Sequence, residues 1–170
     1  LMPKFSANLG FLWADRSLAD SIISAKKAGF DAVECHFPYD EPISEVVSSL
    51  ESTGLTMLGL NTIRGPLNAG MAALSDAIED ARRAIDQALS YGWQIGAKNI
   101  HVMAGQSSGK KAEKVYLDNL LYASDKADRL GLIVLIEPLN PFDMPGYFLR
   151  DTVHAQHILD RLGRPNVKLM

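Results

Sequence analysis

Five glycines, Gly29, Gly54, Gly96, Gly131 and Gly163, constrain this chain more than any other feature. Each follows an amphipathic helical stripe and stands shortly before an apolar run. Glycine adopts the left-handed conformation that ends a helix without a Cβ penalty. Five such endings make five returns from helix to strand, so the repeating unit is βα. The apolar runs predict strands at 4–9, 31–35, 55–60, 98–103, 132–136 and 166–170. Most are continuous rather than alternating, which suits parallel strands covered on both faces.

The intervening segments carry a period near 3.6 residues. Leu18, Ile22 and Ala25 form the first stripe, and Ile43, Val46, Val47 and Leu50 the second. The third holds Leu74, Ala77, Ile78, Ala81, Ile85, Ala88 and Leu89. The fourth holds Ala112, Val115, Leu120, Ala123, Ala127 and Leu130, and the last Ala155, Ile158, Leu159 and Leu162.

Strands alternating with helices imply a parallel sheet with right-handed crossovers. Either an open doubly wound sheet or a (βα)8 barrel satisfies this. Neither a G-x-G-x-x-G turn after the first strand nor a P-loop is present, which argues against the nucleotide-binding open sheets. A barrel normally takes about 250 residues. This chain of 170 residues ends in the apolar run "NVKLM". The expectation is a single incomplete barrel domain over 1–170, holding about the first five and a half βα units of a longer protein.

Net charge is −3 without a basic cluster, which argues against nucleic acid or an anionic membrane surface as partner. No apolar run approaches a membrane span. The N-terminal residues lack the layout of a signal peptide. Cys35 is the only cysteine, so no intrachain disulfide forms and a reducing, cytoplasmic setting is expected.

Ligands of parallel α/β folds gather at the carboxyl ends of the strands. The polar residues there are Asn8, Glu34 and His36, Asn61 with Thr62 and Arg64, His101 with Gln106, and Glu137 with Asn140 and Asp143. Glu137 is the sharpest, because it ends a run of five apolar residues. Burial there is costly unless a cation, a metal or a hydrogen-bond donor compensates the carboxylate. A strand-end acid paired with a neighbouring Lys or Arg is the structural alternative. His101 lies inside an apolar strand, as a hydrogen-bonded core residue or as a ligand contact. Glu34 and His36, two residues apart, share one face and reach either a common cavity or a core hydrogen bond. Cys35 points the other way and packs as a small apolar group. Trp13 is placed to wall a pocket, and Trp93 to pack a helix end. His154, His157 and the charges at Glu79, Asp80, Arg82 and Arg83 read as solvated helix faces.

The stretches "FSANLGFLW", "AGFDAVECHFPYD", "GLNTIRGP", "IHVMAG" and "LIEPLNPFDMPGYFL" occur in this order. Together they resemble the hydroxypyruvate isomerase family of xylose-isomerase-like barrels, from about residue 2 to residue 170. The resemblance implies a (βα)8 barrel with a divalent metal, Mg²⁺ or Mn²⁺, at its carboxyl-end face. It implies an isomerase of hydroxypyruvate and tartronate semialdehyde, or of a related small 2-oxo acid, working through an enediolate.

The glutamate of "IEPLN", Glu137, is by resemblance both a metal ligand and one of two catalytic glutamates. The second glutamate and most metal ligands fall beyond residue 170. His101, Asn140, Arg64, Asn8 and His36 are the candidate substrate contacts, and the prolines of the Glu137 loop would hold Asn140 and Tyr147 around the substrate. The segment "GPLNAGMAALSD" is shorter and less charged than in the family, which bears on the contacts made there. The alternatives are a ketose 3-epimerase of the same barrel class, or a non-catalytic truncated barrel that associates with a second copy through its open edge.

Overall fold

The computed structural model describes residues 2–170 and consists of short parallel strands alternating with helices. The strands are β1 (Ser6–Asn8), β2 (Ala32–Glu34), β3 (Thr56–Met57), β4 (Gly59–Asn61), β5 (Asn99–His101), β6 (Ile133–Ile136) and β7 (Val167–Leu169). The helices are α1 (Leu18–Lys27), α2 (Ile43–Thr53), α3 (Ile78–Gln94), α4 (Gly109–Leu130) and α5 (Thr152–Leu162). Ladders run β1-β2-β3 and β4-β5-β6-β7, and every pair is parallel.

β3 and β4 are the two halves of the single strand expected at 55–60. Leu58, between them, still bonds to both neighbours. Its N–H donates to Val33 O (2.7 Å), and its O accepts from Asn99 N–H (2.9 Å). Beyond it, Cys35 N–H donates to Gly59 O (3.0 Å) and Asn61 N–H to His36 O (2.8 Å). The backbone thus carries the sheet across the break in sequence order, as in the wall of a βα barrel.

The glycine punctuation holds. Gly54, Gly131 and Gly163 cap α2, α4 and α5 at φ 67°, 67° and 62°, and Gly29 and Gly96 also have positive φ. Ser17 and Asp151 start α1 and α5 by accepting a hydrogen bond from the N–H three residues on. Helical stripes face inward as read from the sequence: Ile22 and Ala25, Val46, Ile85 and Ala88, Leu120 and Ala127, and Ala155 and Ile158 are at most 1% exposed.

Two expectations need correction. The third helix begins at Ile78, so Leu74 and Ala77 precede it. Residues 69–74 are buried but irregular, because their backbone finds partners elsewhere. Ala72 N–H donates to Met103 O (3.2 Å), Ala73 N–H to Ala104 O (2.7 Å), and Asn119 Nδ2 to Ala72 O (2.9 Å). Nor are the strands apolar on both faces. Ala7, Val33, Ile100 and Val134 are fully buried toward the helices, while Asn8, Glu34, Asn61 and Leu135 on the alternate face are only partly buried. No helical residue lines the cavity on that alternate face. Helices on one face only is the arrangement of a barrel and not of a doubly wound sheet.

Candidate active site

The cavity enclosed by the inner face has a volume of about 460 Å³ and opens at the carboxyl ends of the strands. Strand register brings its polar groups onto one face at neighbouring levels. Asn8 pairs with Glu34 and Asn61 with His101, while Leu135, which pairs with His101, is followed two residues on by Glu137. With a side-chain period of two, all of these face the same way. The sequence-derived candidates Glu137, His101, Asn8, His36 and Arg64 all line this cavity.

His101 is the most enclosed of them, at 3% exposure. Its Nδ1 lies 3.2 Å from Asn61 Oδ1 and 3.8 Å from Glu137 Oε2. Oxygen acceptors beside Nδ1 favour the Nδ1–H tautomer, which leaves Nε2 as an acceptor. Nε2 has no partner among the described residues. Burial, helped by His36, lowers the His101 pKa to about 4. The imidazole is therefore neutral near pH 7, and its contact with Glu137 is a polar contact between a neutral ring and a carboxylate.

Glu137 keeps 33% of its side chain exposed. Its pKa is raised, first by desolvation and then by the charge of Glu34. Both causes act against the ionised form, so this carboxylate lacks a compensating cation among the described residues.

Across the cavity, Asn8 Oδ1 accepts from Gly10 N–H (2.9 Å) and turns the chain after β1. A Cβ at Gly10 would fall 2.1 Å from His36 Nδ1, so glycine is what lets the imidazole fit. Phe11 meets His36 edge-on, with ring centroids 4.9 Å apart. Desolvation and the neighbouring Arg64 lower the His36 pKa. Arg64 stands at the exposed rim.

Asn140 does not reach this cavity, which corrects the expectation for the Glu137 loop. Its Oδ1 accepts from Phe142 and Asp143 N–H, each at 3.0 Å, and its Nδ2 donates to Asp143 Oδ2 (2.7 Å). The short amide is consumed by its own turn. Tyr147 is also a support, not a wall of the cavity. Its hydroxyl accepts from Ala104 N–H (2.9 Å) and fastens the loop to the end of β5. Gln106 acts alike, donating to Pro145 O (3.1 Å). Leu139 and Met144 are the parts of the loop that do face the cavity.

Elsewhere, Trp13 packs edge-on against Phe30 (6.4 Å) and not on the cavity, and Trp93 is 58% exposed at the end of α3. His157 is exposed as expected, but His154 is half-buried against Phe148 (5.0 Å). Arg82 is not merely solvated, since it donates to Asn119 Oδ1 (3.3 Å) and lies over the Tyr122 ring.

Cys35 is 6% exposed, and burial pushes its pKa up to about 12. We expect Ellman's reagent at pH 8 to label the native protein more than about 100-fold slower than the guanidinium-unfolded chain, because only the thiolate attacks. Equal rates would mean that the strand end around Cys35 opens freely.

Sequence reasoning left Glu34 out of the substrate contacts and passed over Phe37 and Asn68 entirely. The two-residue spacing of Glu34 and His36 already put Glu34 on the cavity face. No local pattern signals the other two, because Phe37 and Asn68 gain their roles through contacts between separate loops.

A parallel βα wall with its polar groups gathered at the strand ends defines an enzyme-type barrel mouth. Residues 22–170 match the model of the xylose isomerase-like TIM barrel family. The chain is 38% identical to a 2-oxo-tetronate isomerase of Cupriavidus necator, covering 99% of this chain and 67% of that protein. It is 32% identical to a hydroxypyruvate isomerase of Escherichia coli, covering 99% and 68% respectively. Among solved structures, an AP endonuclease, family 2, from Brucella melitensis superposes with a TM-score of 0.92 at 35% identity, over 99% of this chain and 68% of that one. A D-psicose 3-epimerase shares the fold at 18% identity, with a TM-score of 0.78 over 99% and 63%. The chain belongs to the xylose isomerase-like TIM barrels and, within them, to the hydroxypyruvate isomerase family. It spans about two thirds of the length of the curated relatives it matches.

Proposed function

We propose that the protein isomerises a small 2-oxo acid carrying a hydroxyl on the adjacent carbon, such as hydroxypyruvate or a 2-oxo-tetronate. The observation that carries this reading is the Glu137 carboxylate, disfavoured by burial and by Glu34, in a cavity whose rim holds Arg64. The two isomerases named above, at 38% and 32% identity, support the same chemistry.

For hydroxypyruvate, Glu137 takes a proton from C3, the electron pair of that C–H bond forms the C2–C3 double bond, and the C2 carbonyl oxygen becomes the enediolate oxygen. The hydroxyl proton passes from O3 to O2 and the proton held by Glu137 returns to C2, which leaves the C3 carbonyl of tartronate semialdehyde with no net change in atoms or electrons. A carboxylate whose pKa is raised is a stronger base and, once protonated, a usable acid. Neutral His101, hydrogen-bonded to Asn61, stands beside the carboxylate and gives it a wall without a second charge. Asn8 and His36 meet the hydroxyl and carbonyl oxygens of the substrate, and Arg64 meets its carboxylate.

The donors of this chain fit a divalent cation only in part. Glu137 offers one hard oxygen ligand, but no three His, Cys, Asp or Glu residues converge among the described residues. In a barrel of its relatives' length, Glu137 would hold Mg²⁺ or Mn²⁺ with ligands from the strands this chain does not span. Such an ion would supply charge neutralisation for the enediolate oxygens.

No helix among the described residues is long and apolar enough to cross a membrane. We place the activity in the cytoplasm. The test is conversion of hydroxypyruvate to tartronate semialdehyde, and of 2-oxo-tetronate to its isomer, with added Mg²⁺ or Mn²⁺. Turnover of a neutral ketose in place of both acids would move the assignment to a sugar epimerase, and no turnover at all to a non-catalytic barrel.

A further inference from the structure

The loop after β4 closes on itself around Arg64, the one Lys or Arg lining the cavity among the described residues. Arg64 O accepts from Gly70 N–H (2.7 Å), and Gly65 O accepts from Asn68 N–H (3.1 Å). Asn68 holds a positive φ of 56°, which asparagine tolerates better than most side chains. In this turn its Oδ1 accepts from Arg64 Nη1 (3.2 Å). On another face, the Arg64 guanidinium lies over the Phe37 ring, 4.6 Å from the centroid. Phe37, Arg64 and Asn68 all line the cavity.

Arginine side chains at an exposed rim are ordinarily loose, so this arrangement needs a reason. The usual one is an ion pair, but among the described residues Arg64 makes none. Its two partners are a neutral amide and an aromatic face, which fix its direction without neutralising its charge. His36 beside it does not supply a second cation, since burial and then the charge of Arg64 itself hold it toward its neutral form.

We infer that Asn68 and Phe37 are positioning residues that aim Arg64 as a preset clamp for the substrate carboxylate, and that this clamp selects a 2-oxo acid over a neutral ketose. The inference rests on the proposed isomerase reading and deepens it. Preorganisation of this kind lowers the entropy lost when the acid binds. The amide also matters by its neutrality, because an aspartate at the same place would occupy the guanidinium forks that the substrate needs.

Three variants test this. Asn68→Gly keeps the positive φ and deletes the amide. Asn68→Asp keeps the size and adds a competing carboxylate. Arg64→Gln removes the charge. With hydroxypyruvate we expect KM to rise about threefold, tenfold and tenfold respectively, with smaller changes in kcat, as fits a charge-assisted hydrogen bond at a solvated rim. A residue that merely stabilises the loop would give Asn68→Gly and Asn68→Asp the same KM.

Calorimetric binding of D-glycerate, which has no ketone or aldehyde group to isomerise, separates the clamp from the reaction. Glycerate binding that weakens about tenfold in Arg64→Gln supports the clamp, even if the wild type fails to turn over hydroxypyruvate and the isomerase reading falls. Glycerate binding and KM unchanged in both Arg64→Gln and Asn68→Asp overturn the clamp, whatever the turnover. Absence of glycerate binding to the wild type also overturns it.

Discussion

Replacing Glu137 with glutamine is expected to lower kcat about 10³-fold while leaving the protein as stable as the wild type, or more so, at pH 7. The size of the loss follows from what a positioned general base contributes to proton transfer. The stability follows from the environment. Burial and the Glu34 charge both disfavour the ionised carboxylate in the folded state, so its folded pKa lies above its unfolded value. A carboxylate shifted this way weakens folding above that pKa and ceases to do so as the pH falls through it. Glutamine has the same shape and no charge, so it removes this cost and the pH dependence with it.

For the same reason, with no divalent cation bound, the limb of the stability profile set by Glu137 lies above that of a free carboxylate. Glu34→Gln should move that limb downward by removing the second cause of the shift. Denaturation midpoints at several pH values with a chelator present read both effects, and turnover with added metal reads the loss of kcat. Full activity in Glu137→Gln would remove Glu137 from the mechanism, and an unmoved limb in Glu34→Gln would remove the coupling between the two acids.

The second large effect is structural and concerns Gly70. It sits at φ 94°, bridges Ala104 and donates its N–H to Arg64 O. A Cβ there would lie 2.3 Å from Met103 Cβ and 2.5 Å from Met103 O. The carbonyl belongs to the backbone two residues past β5 and cannot swing aside like a flexible side chain. Gly70→Ala should therefore cost about 3 kcal/mol, combining left-handed strain with backbone overlap. Gly29→Ala is the matched control, since Gly29 has φ 89° but nothing within 4 Å of its ideal Cβ. That variant should cost about 1 kcal/mol, from backbone conformation alone. Urea denaturation with m-values compared across the set distinguishes the two. Equal costs would mean that the 65–74 loop is not packed against β5 as described. If Gly70→Ala stays folded by lifting this loop, KM for the acid should rise, because Arg64 travels with it.

Residues 69–74 also show where sequence reading stops. Leu74, Ala77 and Ile78 continue the helical stripe without a break, so periodicity extends α3 too far toward the N-terminus. The competing interactions are long-range: Met103 O, Ala104 O and the Asn119 amide capture the backbone of this segment. Asn140 fails for the opposite reason. It stands at the right distance after Glu137 to reach a substrate, but a local turn satisfies its amide first.

Glycines at the helix ends, the apolar stripes and the carboxylate closing "LIVLIE" determined by themselves the βα repeat, the direction of the strands and the level of Glu137. Each depends on interactions within a few residues, or on a period that one strand or helix imposes. Tertiary structure alone decided which polar side chains share the cavity, that His101 is neutral, and that Arg64 is aimed by Phe37 and Asn68. Those properties come from register between strands and contacts between loops, where residues far apart in the chain exclude water from one another and reset each other's charge.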